Sequence, residues 1–528
     1  MPTFKLDGKD IPFQPGETII HAAHKAGIEI PHYCWHPGLS IAANCRMCLV
    51  EILPAANQRA MMLDIVEWDA ELGDYRPARK PKLLPSCQVP AAEGMQILAD
   101  TSPHVAQARK TVQELLLLNH PVDCPICDQA GECKLQDYWL EHGRFHKRMT
   151  DEVVHKPKAV SFGPTIVYDA ERCVMCTRCI RFMDEVAKDP VLEMRERGNL
   201  NEISVAPGRQ VEGHYTFMLD QVCPVGALTT KDFRFKARVW FLRSAKTVCQ
   251  GCATGCNAFI DFDPRTNLAY RMRPRENAEV NKWWMCDEGV LSYRRAHEGR
   301  VAFHLVKGKT TTPSKSGAQV EKLFADVPRE SIAVVLSADA SLEDNWAFAE
   351  LAKLLGTKHV FFTQAAAGEG DTILRSADKS PNVAGVKLAC PDAKPFADFA
   401  AAVGSGGITH AIALGGAIDG EPDLSKLTAL VVVASHEGRL TSAAHVVLPA
   451  SSWAEAPGTW VNAKGLRQIA DRALEPQGNS RPAFEHAAEL ARGLGLEPTW
   501  SKLKDIRTKL GSADPKPELA ATVETQAV

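Results

Sequence analysis

Fifteen cysteines and one histidine in this chain fall into four short sets, and those sets are where its chemistry must lie. The sets are Cys34, Cys45, Cys48 and Cys87; His120, Cys124, Cys127 and Cys133; Cys173, Cys176, Cys179 and Cys223; and Cys249, Cys252, Cys256 and Cys286. In a reducing compartment, cysteines at such spacing serve metal ligation or redox chemistry rather than disulfides. The thiolate is a soft donor suited to iron–sulfur clusters and zinc. The sixteenth cysteine, Cys390 in GVKLACPD, stands alone and reads as a small buried hydrophobe.

Cys34-x10-Cys45-x2-Cys48 with a distant Cys87 has the general form of a plant-type [2Fe–2S] site, in which a loop wraps the cluster and a remote cysteine closes it. Residues 31–51 (PHYCWHPGLSIAANCRMCLVE) are rich in small side chains where backbone must approach inorganic sulfur. A zinc site is the alternative, although zinc more often pairs two C-x2-C hooks. In the second set, His120 precedes three thiols within thirteen positions. It reads as a fourth ligand, against the plainer alternative of a helix-end residue. A neutral imidazole in place of a thiolate removes a negative charge and raises a cluster's potential.

The third set contains an internal check. Cys173-x2-Cys176-x2-Cys179 opens the bacterial two-cluster pattern, whose next position, expected to be cysteine, is Met183. The second half survives only as Cys223-Pro224; counting back by the same spacing lands on Leu219, Thr216 and Gly213, none an iron ligand. All four ligands of one cluster are therefore missing and all four of its twin are present. That implies one [4Fe–4S] cluster in a degenerate two-cluster fold. The fourth set, C-x2-C-x3-C with Cys286 after a 29-residue gap, suits another [4Fe–4S] cluster, with structural zinc as the alternative.

These donors need scaffolding. Residues 4–6 and 11–13 flank a Gly-Lys-Asp turn as a hairpin, and residues 18–26 read as a short helix ahead of the Cys34 loop. The 38-residue gap between Cys48 and Cys87 predicts an inserted hairpin around residues 65–75. Ser102-Pro103 starts a helix. Its apolar positions are Val105, Ala108, Val112, Leu115 and Leu116, and Pro121 is expected to stop it right after His120. Beyond residue 298 the chain alternates apolar runs at 332–336, 359–362, 411–414, 429–434 and 446–448 with helical patterns at 342–355 and 396–403. Strands alternating with helices imply a doubly wound α/β sheet.

Composition narrows the function. With 61 Lys+Arg against 64 Asp+Glu the chain lacks the basic excess of a nucleic-acid binder. No apolar run approaches the ~20 residues that span a bilayer, and residues 1–10 lack a secretory h-region. A place in the cytosol, with membrane contact only through partners, is the expectation. No G-x-G-x-x-G occurs, so a nucleotide site is unsupported.

The succession of sets resembles the large iron–sulfur subunit of respiratory complex I, the NADH:quinone oxidoreductase. The resemblance rests on residues 31–51, 120–133, 171–181 and 223–228 (CPVGAL). It implies a multidomain α+β and α/β chain with six parts. These are a [2Fe–2S] ferredoxin-like domain (1–98), a [4Fe–4S] domain with one His and three Cys ligands (99–155), and a single-cluster [4Fe–4S] ferredoxin-like domain (156–240). A [4Fe–4S] domain of molybdopterin-oxidoreductase type (241–298), a truncated inactive α/β domain (299–510) and a disordered tail (511–528) follow. One [2Fe–2S] and three [4Fe–4S] clusters are implied, with no molybdopterin, flavin or NAD on this chain and no catalytic residue of its own. Electrons would arrive from a flavin subunit that oxidises NADH. They would cross the [2Fe–2S] centre, the all-cysteine [4Fe–4S] centre and then the His-ligated one, on the way to quinone-module iron–sulfur subunits. The whole complex would couple this to proton translocation, and the chain would lie peripherally on the cytoplasmic side of the bacterial inner membrane. Residues 444–468 are similar to a pterin-region segment of molybdopterin enzymes, but no cysteine lies between Cys286 and Cys390 to ligate such a metal. A scaffolding remnant is implied, with the fourth cluster to one side of the electron path. The first 230 or so residues also resemble relay domains of NAD-linked hydrogenases and formate dehydrogenases. A purely structural zinc protein is the reading from another class.

Overall fold

Asp7 and Gly8 both adopt positive φ (47° and 84°) and turn the chain between antiparallel strands Thr3–Leu6 and Lys9–Pro12. The turn thus sits one residue earlier than Gly-Lys-Asp, because Lys9 and Asp10 already pair with Leu6 and Lys5. The Asp7 carboxylate also accepts the amides of Ala99, Asp100 and Thr101 (2.9, 3.1 and 3.3 Å), fixing where the next segment leaves. This is a computed structural model, and it describes residues 1–54 and 62–511. The expected tail, apart from Gly511, lies outside the described residues. The chain divides into two units, one ending at Arg238 and the other beginning at Val239.

In the first unit a five-stranded sheet runs in the order Lys9–Pro12, Thr3–Leu6, Gln96–Leu98, Leu49–Leu53, Leu84–Pro85. Helix Ile19–Lys25 packs Ile19, Ile20, Ala22 and Ala23 against Phe4, Leu6, Ile11, Val50 and Ile97. The segment between Cys48 and Cys87 contains a separate two-stranded hairpin, Met62–Asp69 with Asp74–Pro81, in the register Trp68 opposite Tyr75. Ser102 caps helix Pro103–Leu117 by accepting the Val105 amide.

Two expectations for that helix fail. It ends at Leu117, three residues before His120, because Asn119 turns its side-chain oxygen to the Val154 amide and His120, preceding a proline, is kept from the α region. Its buried face is Val105, Arg109 and Gln113, while Leu115 is 62% exposed. Arg109 pairs with Asp100, and Gln113 donates to the Tyr33 hydroxyl at 2.6 Å, so two polar residues each find a partner inside and the leucine is left outside. The rest of the unit adds helix Lys134–His142, a three-stranded sheet (Val160–Ser161, Ile166–Tyr168, Leu228–Thr230), and helices Arg178–Glu185 and Met218–Val222.

The second unit opens with antiparallel strands Arg243–Val248, Asn257–Asp263 and Leu268–Pro274. An eight-stranded sheet follows, whose parallel part contains Val446–Pro449, Ala429–Ala434, His410–Leu414, Ile332–Ser337, Val360–Thr363 and Lys394–Pro395 in that spatial order. IAVVLS and ALVVVA are apolar at every position but one because both faces are covered, as parallel sheets require. Val334 and Leu336 join Phe348 and Leu351 of helix Leu342–Leu355 on one side. Ala333 and Val335 join Phe399 and Val403 of helix Phe396–Gly404 on the other. Phe348 is fully buried, so Phe348→Ala should destabilise this unit by about 3–5 kcal/mol in denaturant unfolding. A loss below about 1 kcal/mol would mean that the helix does not pack on the sheet as described.

Candidate metal centres

The first set is assembled by loops that leave the five-stranded sheet. Cys34 follows the buried stretch 30–33, Cys45 and Cys48 precede strand Leu49–Leu53, and Cys87 follows Leu84–Pro85. Ala43 and Arg46 take left-handed φ (49° and 60°), which bends residues 43–48. Cys45 shares a hydrogen bond with Cys34, and Cys87 with Cys48. The bond from Cys45 holds the Cys34 thiol down at about 5, while the same bond and burial push Cys45 up. Cys34 thus already favours the thiolate, and the bond from Cys87 lowers the Cys48 thiol as well.

In the second set, Cys124 opens a short 3-10 turn, Cys127 follows it, and Cys133 is the N-cap of helix Lys134–His142. His120, Cys124 and Cys133 line one cavity of about 370 Å³ together with Leu117, Leu135 and Trp139. Burial lowers the His120 imidazole to about 4, so it is neutral and able to ligate. Its Nδ1 is buried with no hydrogen-bond partner. An orphaned nitrogen in a cavity that also holds thiols fits a metal centre better than a helix end, where water would take it. Burial pushes Cys133 up to about 12.

In the third set, Cys173 and Cys176 lie on a loop bent by positive φ at Met175 and Thr177, Cys179 is on helix Arg178–Glu185, and Cys223 follows helix Met218–Val222. The sulfurs of Cys173, Cys176 and Cys223 all act on Cys179, whose thiol burial raises well above normal. Met183 and Leu219, at two positions where a two-cluster pattern would carry cysteine, are buried at 1% and 0% exposure. In the fourth set the Cys249 amide donates to the Cys256 carbonyl at 2.8 Å, and Cys286 caps helix Asp287–Leu291. Asn281 ties the two segments together, accepting the Asn257 amide at 3.0 Å and donating to the Trp284 carbonyl at 3.1 Å. Cys249, Cys252 and Cys286 all act on buried Cys256. Among the described residues, no three His, Cys, Asp or Glu side chains converge closely enough to hold a single metal ion.

Three sets adjoin one another within the first unit. Arg181 Nη2 donates to the carbonyl of Cys34 at 2.6 Å and to that of Cys176 at 3.2 Å. Gly226, in the CPVGAL stretch after Cys223, lies where a Cβ would come within 2.5 Å of Cys127 Sγ. Arg238 donates to the carbonyls of Cys127 and Pro125, both at 2.6 Å. The Tyr33 phenol, buried against Gln113, feels both Cys133 and Cys45. Sequence reasoning missed Tyr33, Arg178, Arg181 and Gly226; the glycine directly after Cys-Pro-Val was the one visible signal.

Four family models match parts of the chain. A 2Fe-2S iron-sulfur cluster binding domain matches residues 1–68, and the NADH-ubiquinone oxidoreductase-G iron-sulfur binding region matches 109–148. The ferredoxin-like domain of NADH-quinone oxidoreductase subunit 3 matches 163–229, and molybdopterin oxidoreductase matches 345–492. These define a chain of iron–sulfur domains followed by a molybdopterin-oxidoreductase-type domain. Within that class, the chain is similar to subunits of NADH-quinone oxidoreductase. An NADH-quinone oxidoreductase subunit of Streptomyces coelicolor is 33% identical over 375 residues, covering 68% of this chain and 40% of that protein. Its counterpart in Rickettsia felis is 34% identical over 363 residues, covering 68% and 50%. The mitochondrial NADH-ubiquinone oxidoreductase 78 kDa subunit of Candida albicans is 38% identical over 287 residues, covering 54% and 36%. The matches thus span half or less of these relatives' own length. A solved structure of an NAD+-reducing [NiFe]-hydrogenase in its H2-reduced state aligns at 29% identity and a TM-score of 0.35, covering 45% of this chain and 91% of that one.

Gly226→Ala tests the packing between the second and third sets. The added methyl must displace Cys127 Sγ, so the iron-loaded variant should bind less iron per chain than native and lose part of its EPR signal. Unchanged iron content would show that the two sets do not press together.

Proposed function

We propose that this chain is an electron relay of an NADH:quinone oxidoreductase, holding one [2Fe–2S] centre on Cys34, Cys45, Cys48 and Cys87 and three [4Fe–4S] centres on the other sets. The observation that carries this reading is the continuity of three sets in one unit, above all Arg181 bonded to the backbone of ligands from both the first and the third. When bound, such clusters exchange single electrons at potentials set by net charge, hydrogen bonds and solvent exposure. The protein's part is to hold donors, exclude water and supply fixed charge. A neutral His120 leaves its centre one negative charge short of an all-thiolate one, which favours accepting an electron. Met183 and Leu219 fill space where a second ferredoxin cluster would have found ligands, so the third set serves one centre.

In this reading, electrons enter from a flavin subunit oxidising NADH and leave toward iron–sulfur subunits of the quinone module. The domains divide near residues 98, 155, 240, 298 and 510. The chain sits on the cytoplasmic face of the membrane through its partners; among the described residues, no helix is long and apolar enough to cross a bilayer. The fourth centre ties residues 248–257 to 283–287 and supports a domain whose α/β sheet acts as scaffold. Cys179→Ala in the assembled complex should abolish NADH:quinone electron transfer measured per flavin. Normal turnover in a variant shown by EPR to lack that centre would contradict the relay.

A further inference from the structure

Six arginines are buried among the described residues, and five face a carboxylate. Arg109 meets Asp100 at 2.5 Å, Arg172 meets Asp123 at 2.7 Å, and Arg271 meets Asp261 at 2.7 Å. Arg375 meets Glu288 at 2.8 Å and Arg507 meets Glu343 at 2.9 Å. Arg178 is the exception. At 1% exposure it has no carboxylate within ion-pair distance among the described residues; its Nε, like those of Arg109 and Arg375, is buried without a partner. Its Nη2 donates to the Trp35 carbonyl and its Nη1 to the Val222 carbonyl at 3.3 Å. Trp35 follows Cys34 and Val222 precedes Cys223, so the fork holds the backbone beside one donor of each set. The groups whose charge acts on it are Cys176, Cys34 and Cys45, with the Tyr138 phenol.

A buried cation without an anion is strongly unfavourable, and two backbone carbonyls do not cancel its charge. Neutral thiols would not cancel it either; thiolates on a metal centre would. We propose that Arg178 is a counter-cation shared by the metal centres of the first and third cysteine sets, placed to favour the reduced state of both. This rests on the reading that those sets hold iron–sulfur centres. Each one-electron reduction adds a negative charge, and a fixed cation in a water-poor interior favours that addition more than an exposed one does. Both centres draw on the same charge, so reducing one weakens its pull on the other. Arg178 is a positioning residue here: it touches the ligand loops and exchanges no electron itself.

The test is an EPR-monitored redox titration of the iron-loaded full chain carrying Arg178→Met or Arg178→Lys, with iron counted in each. In Arg178→Met the two-iron centre and the third-set centre should both become harder to reduce, by about tenfold or more in each equilibrium. The His120 centre and the fourth centre should hardly move, and Arg178→Lys should stay near the native values. Unchanged midpoints in Arg178→Met, or equal shifts in both variants, overturn the proposal. Absence of iron from the first and third sets of the native chain overturns the underlying reading instead. If Arg178→Met cannot retain its centres, thermal melting of the metal-free chain decides. A higher midpoint than native supports an uncompensated cation, and a lower one shows that Arg178 only holds loops.

Discussion

Fifteen thiols and one imidazole gathered into four largely buried sets face one constraint: negative charge gathered out of water needs a cation to keep it there. Burial alone drives the thiols toward the neutral form, pushing Cys173 and Cys286 up to about 11. Bound iron would supply the missing positive charge, and several features of the first unit fit that exchange. Left-handed turns at Ala43, Arg46, Met175 and Thr177 curl backbone around the donors. Gly226 lets one loop come up against a sulfur of another set. Arg178 and Arg181 place guanidinium groups between the first and third sets.

The second unit meets the same constraint differently. Its four cysteines are all buried, but they sit at the end of an antiparallel sheet that passes into an α/β layer stabilised by apolar packing. Asp261, buried at the middle of that small sheet, is held well below the usual carboxylate range despite its burial, because Arg271 and Arg273 both pair with it. Charge there is balanced within the protein. In the first unit Arg178 has no such carboxylate among the described residues.

Much of this was legible in the sequence, for local reasons. Helix Leu342–Leu355 has the bounds its pattern gave because Ser341 caps one end and Gly356, at φ 73°, stops the other. Strand Ala429–Ala434 was readable because a strand covered on both faces is a plain apolar run. What stayed hidden depends on partners distant in sequence. Arg109 and Gln113 are inside because Asp100 and Tyr33 receive them, which no periodicity reveals. The helix before His120 ends early because Asn119 finds Val154. Arg178 looks like any arginine beside a cysteine until its carbonyl partners at Trp35 and Val222 are seen.

The most direct measurement of the central claim is Mössbauer spectroscopy of the full chain loaded with iron-57, alongside total iron and zinc analysis. The account predicts one two-iron and three four-iron components, about 14 iron atoms per chain, and no bound zinc. About ten iron atoms with zinc in the fourth set, or zinc throughout, would contradict it.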